Sequence, residues 1–229
     1  VDPFIGTGFH GHTYTGATVP FGAVQLSPDT RAGNWDACSG YHYNDTTLKG
    51  FSHTHLSGTG CIDLGDILFR PTTLKPDLTT ESIYQPAAFS HKDEDASAGY
   101  YSVVLKEEGI KAELTVTAHA GMHRYTFPSG KEASIIIELT HLLDNEYIYE
   151  AELEQTAANE ITGMRRTRGW TDNQYVYFVA QFSKPFQAID FIQNKKMVSA
   201  GVKLNGTDLQ ACLSFDNSNG EPVIAKVGL

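Results

Sequence analysis

The clearest pattern in the chain is an alternation of apolar and polar residues between residues 110 and 118. The segment Ile110-Lys-Ala-Glu-Leu-Thr-Val-Thr-Ala118 keeps a period of two without a break. Because strand side chains point to opposite faces in turn, it predicts a strand with one face in the core and one in water. β-Branched and aromatic residues predict further strands over Tyr100 to Leu105, Met122 to Phe127, Ile135 to Leu139, Tyr175 to Phe182 and Leu209 to Phe215.

Turn-forming residues separate these strands, at Glu108-Gly109, Pro128-Ser-Gly130-Lys131 and Asn205-Gly206. Strands spaced this closely predict an all-β fold, a large antiparallel β-sandwich with few or no long helices. Residues 145 to 155 fit a helix or a strand, and their aromatic and β-branched members favour a strand.

The N-terminal part of the chain has a different character. Its first 70 residues are rich in Gly, His, Thr, Ser and aromatic residues and show weak periodicity. Residues 71 to 98 contain three prolines and an acidic tract at 92 to 95, which predict a surface excursion with a solvated loop. The change in composition and periodicity falls near residue 98, and we interpret residues 1–229 as a single domain.

Composition limits the classes of partner. The chain has 229 residues and a formal net charge of −10 at pH 7, so we expect no nucleic-acid partner. No apolar run reaches the length that a membrane-spanning helix needs, so we expect no transmembrane segment. The chain opens on VDPFIG without the regions of a signal peptide, which indicates a mature or trimmed chain and leaves export open.

The three cysteines, Cys38, Cys61 and Cys212, are too few for a disulfide scaffold. Buried free thiols are one interpretation. A bridge between Cys38 and Cys61 is the other, since both lie in the N-terminal third, and the sequence does not fix their distance.

The segment Gly6-Thr-Gly8-Phe-His-Gly11 matches the pattern GxGxxG. A dinucleotide-binding fingerprint needs a strand before the glycines and a helix after them. Only five residues precede this segment, and glycine, threonine and proline interrupt the residues after it. We therefore reject a nucleotide site and expect a glycine-lined loop with tight turns. No nucleophile elbow or phosphate loop occurs in the sequence, and spacing singles out no pair of acids.

Two His-x-His pairs, His10/His12 and His53/His55, are the candidates for metal chemistry. On an extended segment both imidazoles of a pair share one face and one task, so four histidines could bind zinc or copper. No acid follows closely, since the first carboxylate after His55 is Asp63. The alternative is that the imidazoles hydrogen-bond to the backbone of a glycine-rich region, and the spacing favours it.

Aromatic residues beside polar ones indicate carbohydrate binding near residue 35. An aromatic ring covers the apolar face of a sugar, while carboxylates, amides and imidazoles bond its hydroxyls. Trp35 and Asp36 follow the Gly- and Asn-containing loop that starts at Arg31, and Tyr41 and Tyr43 come shortly after. We assign the two tyrosines to the core and Trp35 to binding.

Long motifs follow one another between residues 2 and 66. They are DPFIGTG at 2–8, GHTYTGATVPFG at 11–22, QLSPDT at 25–30, CSGYHY at 38–43 and GFSHTHLSGTGC at 50–61, followed by Gly65-Asp66. Together they resemble the N-terminal domain of glycoside hydrolase family 92, the calcium-dependent exo-α-mannosidases. Phe9 departs from this family, which usually has glycine at that position.

The resemblance implies a two-domain enzyme, with residues 1–229 as the N-terminal β-sandwich and a catalytic (α/α)6 barrel downstream, absent from this chain. It implies hydrolysis of α-mannosides with inversion, of the α-1,2 type, at the interface of the two domains. The general acid, the general base and the main calcium ligands would come from the barrel. The implied partners are that barrel and a mannose-containing glycan, and the implied location is exported, in the periplasm or on the cell surface of a bacterium.

The same resemblance implies no catalytic residue in this chain but a set of substrate-binding candidates. These are Trp35, Asp36, His12, His53, His55, Arg31 and Cys38. Trp35 would border a mannose, and the others would bond hydroxyls or brace loops. A domain that packs on a barrel should also expose an aromatic patch. The alternative functions are a stand-alone carbohydrate-binding module and a histidine-based metal-binding protein.

Overall fold

Antiparallel strands dominate the computed structural model, which describes residues 1–74, 85–144, 147–198 and 203–229. In chain order, β1 to β19 are Ala17–Thr18, Gln25–Asp29, Thr47–Leu48, Gly50–Ser52, Leu68–Thr72, Ala87–Ala88, Glu94–Ser97, Tyr100–Leu105, Ile110–Val116, Ala120–Thr126, Ala133–Glu138, Tyr147–Ala157, Glu160–Arg168, Gln174–Phe182, Ala188–Gln193, Lys196–Val198, Leu204–Gly206, Leu209–Phe215 and Val223–Gly228. Two short 3-10 turns, Trp35–Ala37 and His91–Asp93, are the helical elements of the described residues.

The strands form two large sheets and one small pair. The first sheet has the order β1-β2-β4-β5-β11-β18-β15-β16, and the second has the order β17-β12-β13-β14-β19-β10-β9-β8-β7. In the second sheet β19 lies between β14 and β10 and pairs with both. The short strands β3 and β6 pair with each other. The described chain is thus the predicted all-β sandwich.

The hydrophobic core lies between the two large sheets. Phe69 on β5 and Phe182 on β14 stack across it, with ring centroids 6.3 Å apart and ring planes within 6° of parallel. Both rings are buried. Burying an aromatic side chain of this size contributes about 1.5–3 kcal/mol, so such contacts hold the sheets face to face.

The strands predicted from residue 100 onward are all present. They correspond to β8, β9, β10, β11, β14 and β18, with ends shifted by a few residues. The ambiguous segment 145 to 155 is also a strand where the structure describes it, because β12 begins at Tyr147.

The N-terminal third forms more strand than its weak periodicity predicts. β1, β2, β4 and β5 make up half of the first sheet. β4 is buried throughout, and only Arg70 of β5 is partly exposed. A strand covered on both faces does not alternate apolar and polar residues, so the pattern that revealed the later strands is missing here.

The surface excursion predicted for residues 71 to 98 lies largely at the surface in its described part but is not a simple loop, and residues 75–84 lie outside that part. β6 and β7 occupy this region. Glu94, in the middle of the acidic tract, has a fully buried side chain. Its carboxylate accepts hydrogen bonds from the hydroxyls of Tyr41, at 3.0 Å, and Tyr101, at 2.7 Å. These donors compensate the burial of the charge, which the sequence alone did not reveal.

An exposed aromatic surface lies on β12 and β14. Tyr147 and Tyr149 are in edge contact, and Tyr175 and Tyr177 stack with planes 7° apart. The Arg166 guanidinium lies over the Tyr149 ring at 4.8 Å and the Tyr175 ring at 5.3 Å. An aromatic patch of the expected kind is therefore present, and what covers it stays a prediction.

A buried ion pair connects the segment between β4 and β5, the 53–67 loop, to the second sheet. Arg165 on β13 donates to Asp66 Oδ1 from Nε at 3.0 Å and from Nη2 at 2.6 Å. Asp66 Oδ2 accepts from Thr54 Oγ1 at 2.6 Å and from Gln174 Nε2 at 2.8 Å. Neither charged side chain is more than 1% exposed. Because both carboxylate oxygens have donors, the pair fixes the 53–67 loop against β13.

Removing one partner of this pair should cost much stability. In Arg165→Met the Asp66 carboxylate stays buried without its cation, so we expect the free energy of unfolding to fall by about 3–5 kcal/mol. The control is Arg168→Met on the same strand, because the Arg168–Asp172 pair is exposed and should contribute less than about 1 kcal/mol. Denaturant unfolding measures both losses, and equal losses would contradict the assignment.

Candidate functional site

The exposed indole of Trp35 is the centre of the candidate site. The Asn34 side chain begins the 3-10 turn at Trp35–Ala37 by accepting a hydrogen bond from Asp36 N at 2.9 Å. Trp35 is 53% exposed, and its Nε1 donates to the Gly60 carbonyl at 2.9 Å. The turn and the 53–67 loop therefore meet at this indole.

His12 lies against the indole and has an unused ring nitrogen. The two rings are nearly perpendicular, with centroids 4.3 Å apart. His12 is only 8% exposed, yet its Nε2 has no hydrogen-bond partner within the described part of the chain. Gly60 allows the close fit, because a Cβ there would lie 3.1 Å from His12 Nδ1. Buried polar atoms are normally hydrogen-bonded, so this nitrogen is suited to a ligand hydroxyl or a water.

His10 and Asp36 extend the site on the surface. His10 Nδ1 lies 2.6 Å from Asp36 Oδ1, and both side chains are about half exposed. The His10 ring also lies against the indole, with centroids 5.4 Å apart. We call His10, His12, Trp35, Asp36 and Gly60 the Trp35 cluster. It joins an exposed apolar ring to imidazole and carboxylate groups, the combination that sugar sites use.

Phe9, beside the cluster, has a backbone conformation that glycine adopts more easily. Its φ is +57° and it is 80% exposed. This is the left-handed region, which glycine adopts without steric cost and a bulky residue rarely adopts.

Two of the predicted residues, Arg31 and Cys38, are held by protein partners. Arg31 forms a bidentate pair with Asp45, with Nε and Nη2 each 2.7 Å from a carboxylate oxygen. Cys38 is wholly buried, and burial raises the pKa of its thiol more than backbone hydrogen bonds lower it. Cys38 and Cys61 are both free thiols, so the free-thiol interpretation holds. Arg31 and Cys38 therefore brace the loops in this structure.

His53 is buried in a hydrogen-bond chain between the two sheets. Its Nδ1 donates to the Ile67 carbonyl at 2.7 Å, so its Nε2 accepts from His123 Nε2 at 2.9 Å. His123 Nδ1 then accepts from the Tyr125 hydroxyl at 2.7 Å. This chain satisfies every nitrogen when both imidazoles are neutral. Burial lowers the pKa of His53 to about 4, although the Ile67 carbonyl opposes the shift. Of the two roles expected for His53, bonding a hydroxyl or bracing loops, its contacts in this structure are those of bracing.

His55 is also buried but has a different role. Its Nδ1 donates to the Gln25 carbonyl and its Nε2 to Asp29 Oδ1, each at 2.7 Å. His141 Nε2 donates to the other Asp29 oxygen at 2.9 Å. Burial alone would raise the pKa of Asp29, but the two imidazoles more than offset this and hold that pKa below its usual range. His53 and His55 therefore both brace the interior, but through different partners.

The two histidine pairs do not converge on one point. Across the described ranges, no group of three or more His, Cys, Asp or Glu side chains is placed to hold a metal ion. The metal-binding alternative thus gains no support from these residues.

Several important contacts escape sequence reasoning because their partners are distant in the chain. They are His123 with His53, His141 with Asp29, Arg165 with Asp66, and Trp170 with Asp63. Each pair is separated by at least 70 residues. No local spacing in the sequence links the two residues of each pair. The sequence could indicate only that a buried acid or imidazole requires a partner, and not which residue that partner is. The sequence indicated His10 as a possible metal ligand and not as a neighbour of Trp35.

The fold and its motif-bearing loops define a domain of a glycoside hydrolase. The profile of the glycosyl hydrolase family 92 N-terminal domain matches residues 1–229, so the chain belongs to this family.

Solved structures and a curated relative agree with this assignment. The family 92 α-mannosidase BT3965 from Bacteroides thetaiotaomicron, solved in complex with mannoimidazole, is 41% identical with a TM-score of 0.93. The family 92 glycosyl hydrolase ccman5 is 27% identical with a TM-score of 0.86. A secreted glycosidase of Arthroderma benhamiae, described as uncharacterized, is 27% identical. All of this chain is covered in each comparison, but only 31%, 32% and 32% of those longer chains. No helix among the described residues is long and apolar enough to cross a membrane.

The chain of buried neutral histidines predicts sensitivity to acid. The unfolded chain binds protons near the ordinary histidine pKa of about 6.5, whereas folded His53 resists protonation until its pKa of about 4. The unfolded state therefore binds more protons between these values. The free energy of unfolding should fall as pH decreases through this window, by up to about 1.4 kcal/mol per pH unit for each such proton.

Denaturant unfolding at intervals between pH 7.5 and 4 measures this slope. His123→Leu should be less stable at pH 7.5 and show a shallower slope, because it removes one suppressed protonation. Asp29 affects stability in a separate, lower pH range. Because its pKa is depressed in the folded state, its ionised carboxylate stabilises the fold above the ordinary aspartate pKa, and this stabilisation is lost only at lower pH. An identical slope in wild type and variant would contradict the assignment.

Proposed function

We propose that this chain is the N-terminal domain of an exported bacterial exo-α-mannosidase, inverting and of the α-1,2 type, that removes terminal mannose from glycans such as N-glycans. The domain supplies one wall of the active site. The observation that carries the proposal is the Trp35 cluster, where an exposed indole adjoins a buried imidazole nitrogen without a partner. Family membership and the 41% identity to an α-mannosidase support mannose as the sugar, and the α-1,2 linkage follows the family resemblance.

The residues of the Trp35 cluster have different roles in binding a sugar. The Trp35 ring covers the apolar C–H face of a mannose, and His12 Nε2 bonds a hydroxyl. Asp36, paired with His10, offers a carboxylate at the rim. An apolar ring with a few fixed polar groups orients a sugar and excludes water from one of its faces. The remaining candidates, Arg31, Cys38, His53 and His55, hold the loops that carry these groups.

The acid–base chemistry comes from another part of the protein in this proposal. An inverting glycosidase needs a general acid and a general base about 6.5–9.5 Å apart, with room for a water. The buried carboxylates of the described residues are already engaged: Asp29 with two histidines, Asp63 with two backbone N–H groups, Asp66 with an arginine and Glu94 with two tyrosines. The matched relatives are about three times as long as this chain, which leaves room for the (α/α)6 barrel as the source of both groups.

Calcium is assigned to the same part of the protein. The ion takes six to eight oxygen ligands. In the described residues the oxygens of Asp29, Asp63 and Asp66 accept hydrogen bonds from protein groups, so they do not fit a calcium cage. When bound, the ion would contact sugar hydroxyls, and we expect its ligands mainly from the barrel.

Trp35→Ala in the full-length protein tests the proposed wall. Loss of the stacking surface should lower kcat/KM on an α-linked mannose disaccharide by about tenfold or more, without changing the melting temperature. The matched control is Met197→Ala, a large apolar residue of similar exposure on β16. Unchanged activity in Trp35→Ala would overturn the assignment of the Trp35 cluster.

Residues 1–229 alone should not hydrolyse α-mannosides, because the acid and base lie elsewhere. Incubation of the purified chain with mannobiose, followed by chromatography of free mannose, measures this. Turnover that disappears on substitution of an acid within the chain would contradict the proposal. Calorimetric titration with mannose distinguishes the stand-alone binding module, which predicts millimolar or tighter binding that is lost in Trp35→Ala.

A further inference from the structure

Trp170 is a large exposed aromatic residue that the Trp35 cluster does not include. It lies in the turn between β13 and β14 and is 68% exposed. Polar residues surround it in sequence, with Arg168 before it and Thr171, Asp172 and Asn173 after it. An apolar ring flanked by donors and acceptors again has the chemistry of a sugar platform.

The turn that carries Trp170 is held in place by a buried carboxylate. Asp63 is only 4% exposed, and its Oδ2 accepts from the backbone N–H of Trp170 at 2.8 Å. Its Oδ1 accepts from Leu64 N at 2.8 Å. Glycine is required at residue 169, because a Cβ there would lie 2.3 Å from Asp63 Oδ1. The buried Asp63 carboxylate therefore fixes the backbone that carries the exposed Trp170 indole.

The base of the hairpin is fixed by a second acid of the same loop. Asp66 binds Arg165 on β13 and Gln174 at the start of β14, so it holds both strands that flank the turn. Within the turn, Asn173 N donates to Thr171 Oγ1 at 3.1 Å. The turn that carries Trp170 is thus fixed by hydrogen bonds.

Trp35 and Trp170 are attached to the same short piece of chain. Trp35 binds the carbonyl of Gly60, and Trp170 binds the carboxylate of Asp63. Three residues span at most about 11 Å, so the two anchoring points are close. The 53–67 loop therefore holds the Trp35 indole at Gly60 and the Trp170 backbone at Asp63, three residues apart.

We propose that Trp170 is a second sugar platform, which binds a mannose residue of a longer glycan beyond the sugar at Trp35. This inference rests on the proposed function of the Trp35 cluster and adds a preference for chain length. Trp170 contacts no reacting atom; it binds a distal part of an α-linked manno-oligosaccharide. The enzyme should accordingly use tetrasaccharides better than disaccharides, and the difference should depend on Trp170.

The test compares kcat/KM of the full-length enzyme on an α-linked mannose disaccharide and on the tetrasaccharide of the same linkage. Trp170→Ala should lose about three- to tenfold on the tetrasaccharide, mainly through KM, and nothing on the disaccharide. Trp170→Phe should keep most of the activity on the tetrasaccharide. The matched control Met197→Ala, an exposed apolar residue on β16 at the edge of the first sheet, should leave both substrates unchanged.

The outcomes separate this inference from the proposed function. If the wild type cleaves both substrates and Trp170→Ala changes neither, the inference is wrong and the proposed function stands. If Trp170→Ala lowers both activities alike and lowers the melting temperature, Trp170 packs against another part of the protein and the inference is wrong. If the wild type cleaves no α-mannoside, the proposed function fails and the inference fails with it.

Discussion

The arrangement of the functional face depends on one buried ion pair, Asp66–Arg165. It joins the 53–67 loop, which has little regular structure of its own, to a long strand of the second sheet. The loop in turn presents the Gly60 carbonyl to Trp35 and the Asp63 carboxylate to Trp170. A glycine-rich segment offers little side-chain packing, so a fully hydrogen-bonded charge supplies the rigidity that packing would otherwise give. The pair thus sets where both exposed indoles stand.

Two histidines that are neighbours in sequence show how a β-sandwich interior can hold opposite electrostatic environments. His53 hydrogen-bonds to neutral groups, a backbone carbonyl and another imidazole, whereas His55 donates to the Asp29 carboxylate. Both are buried and both are satisfied, but only the second stabilises a charge. The two histidines of the motif therefore share a bracing role but not an electrostatic environment. Among the imidazoles of the described residues, the buried nitrogen without a hydrogen-bond partner is His12 Nε2, on another loop.

The sequence predicted the fold well wherever one face of a strand meets water, since alternation is then visible, as in β9. It failed for β4 and β5, which are covered on both faces, and for Glu94, whose burial depends on tyrosines from two other segments. The sequence indicated Trp35 as a candidate because a tryptophan beside an acid in a glycine-containing loop is a local signal. Trp170 was not, because its significance comes from Asp63, more than 100 residues earlier in the chain.

The central position of β19 has a consequence for the order in which the domain can assemble. Without Val223–Gly228, the second sheet would be two separate four-stranded pieces, ending at β14 and at β10. During folding both pieces keep an open edge until β19 pairs with β14 and β10. Open edges invite mispairing with other chains, so the domain is exposed to aggregation until this last strand is in place.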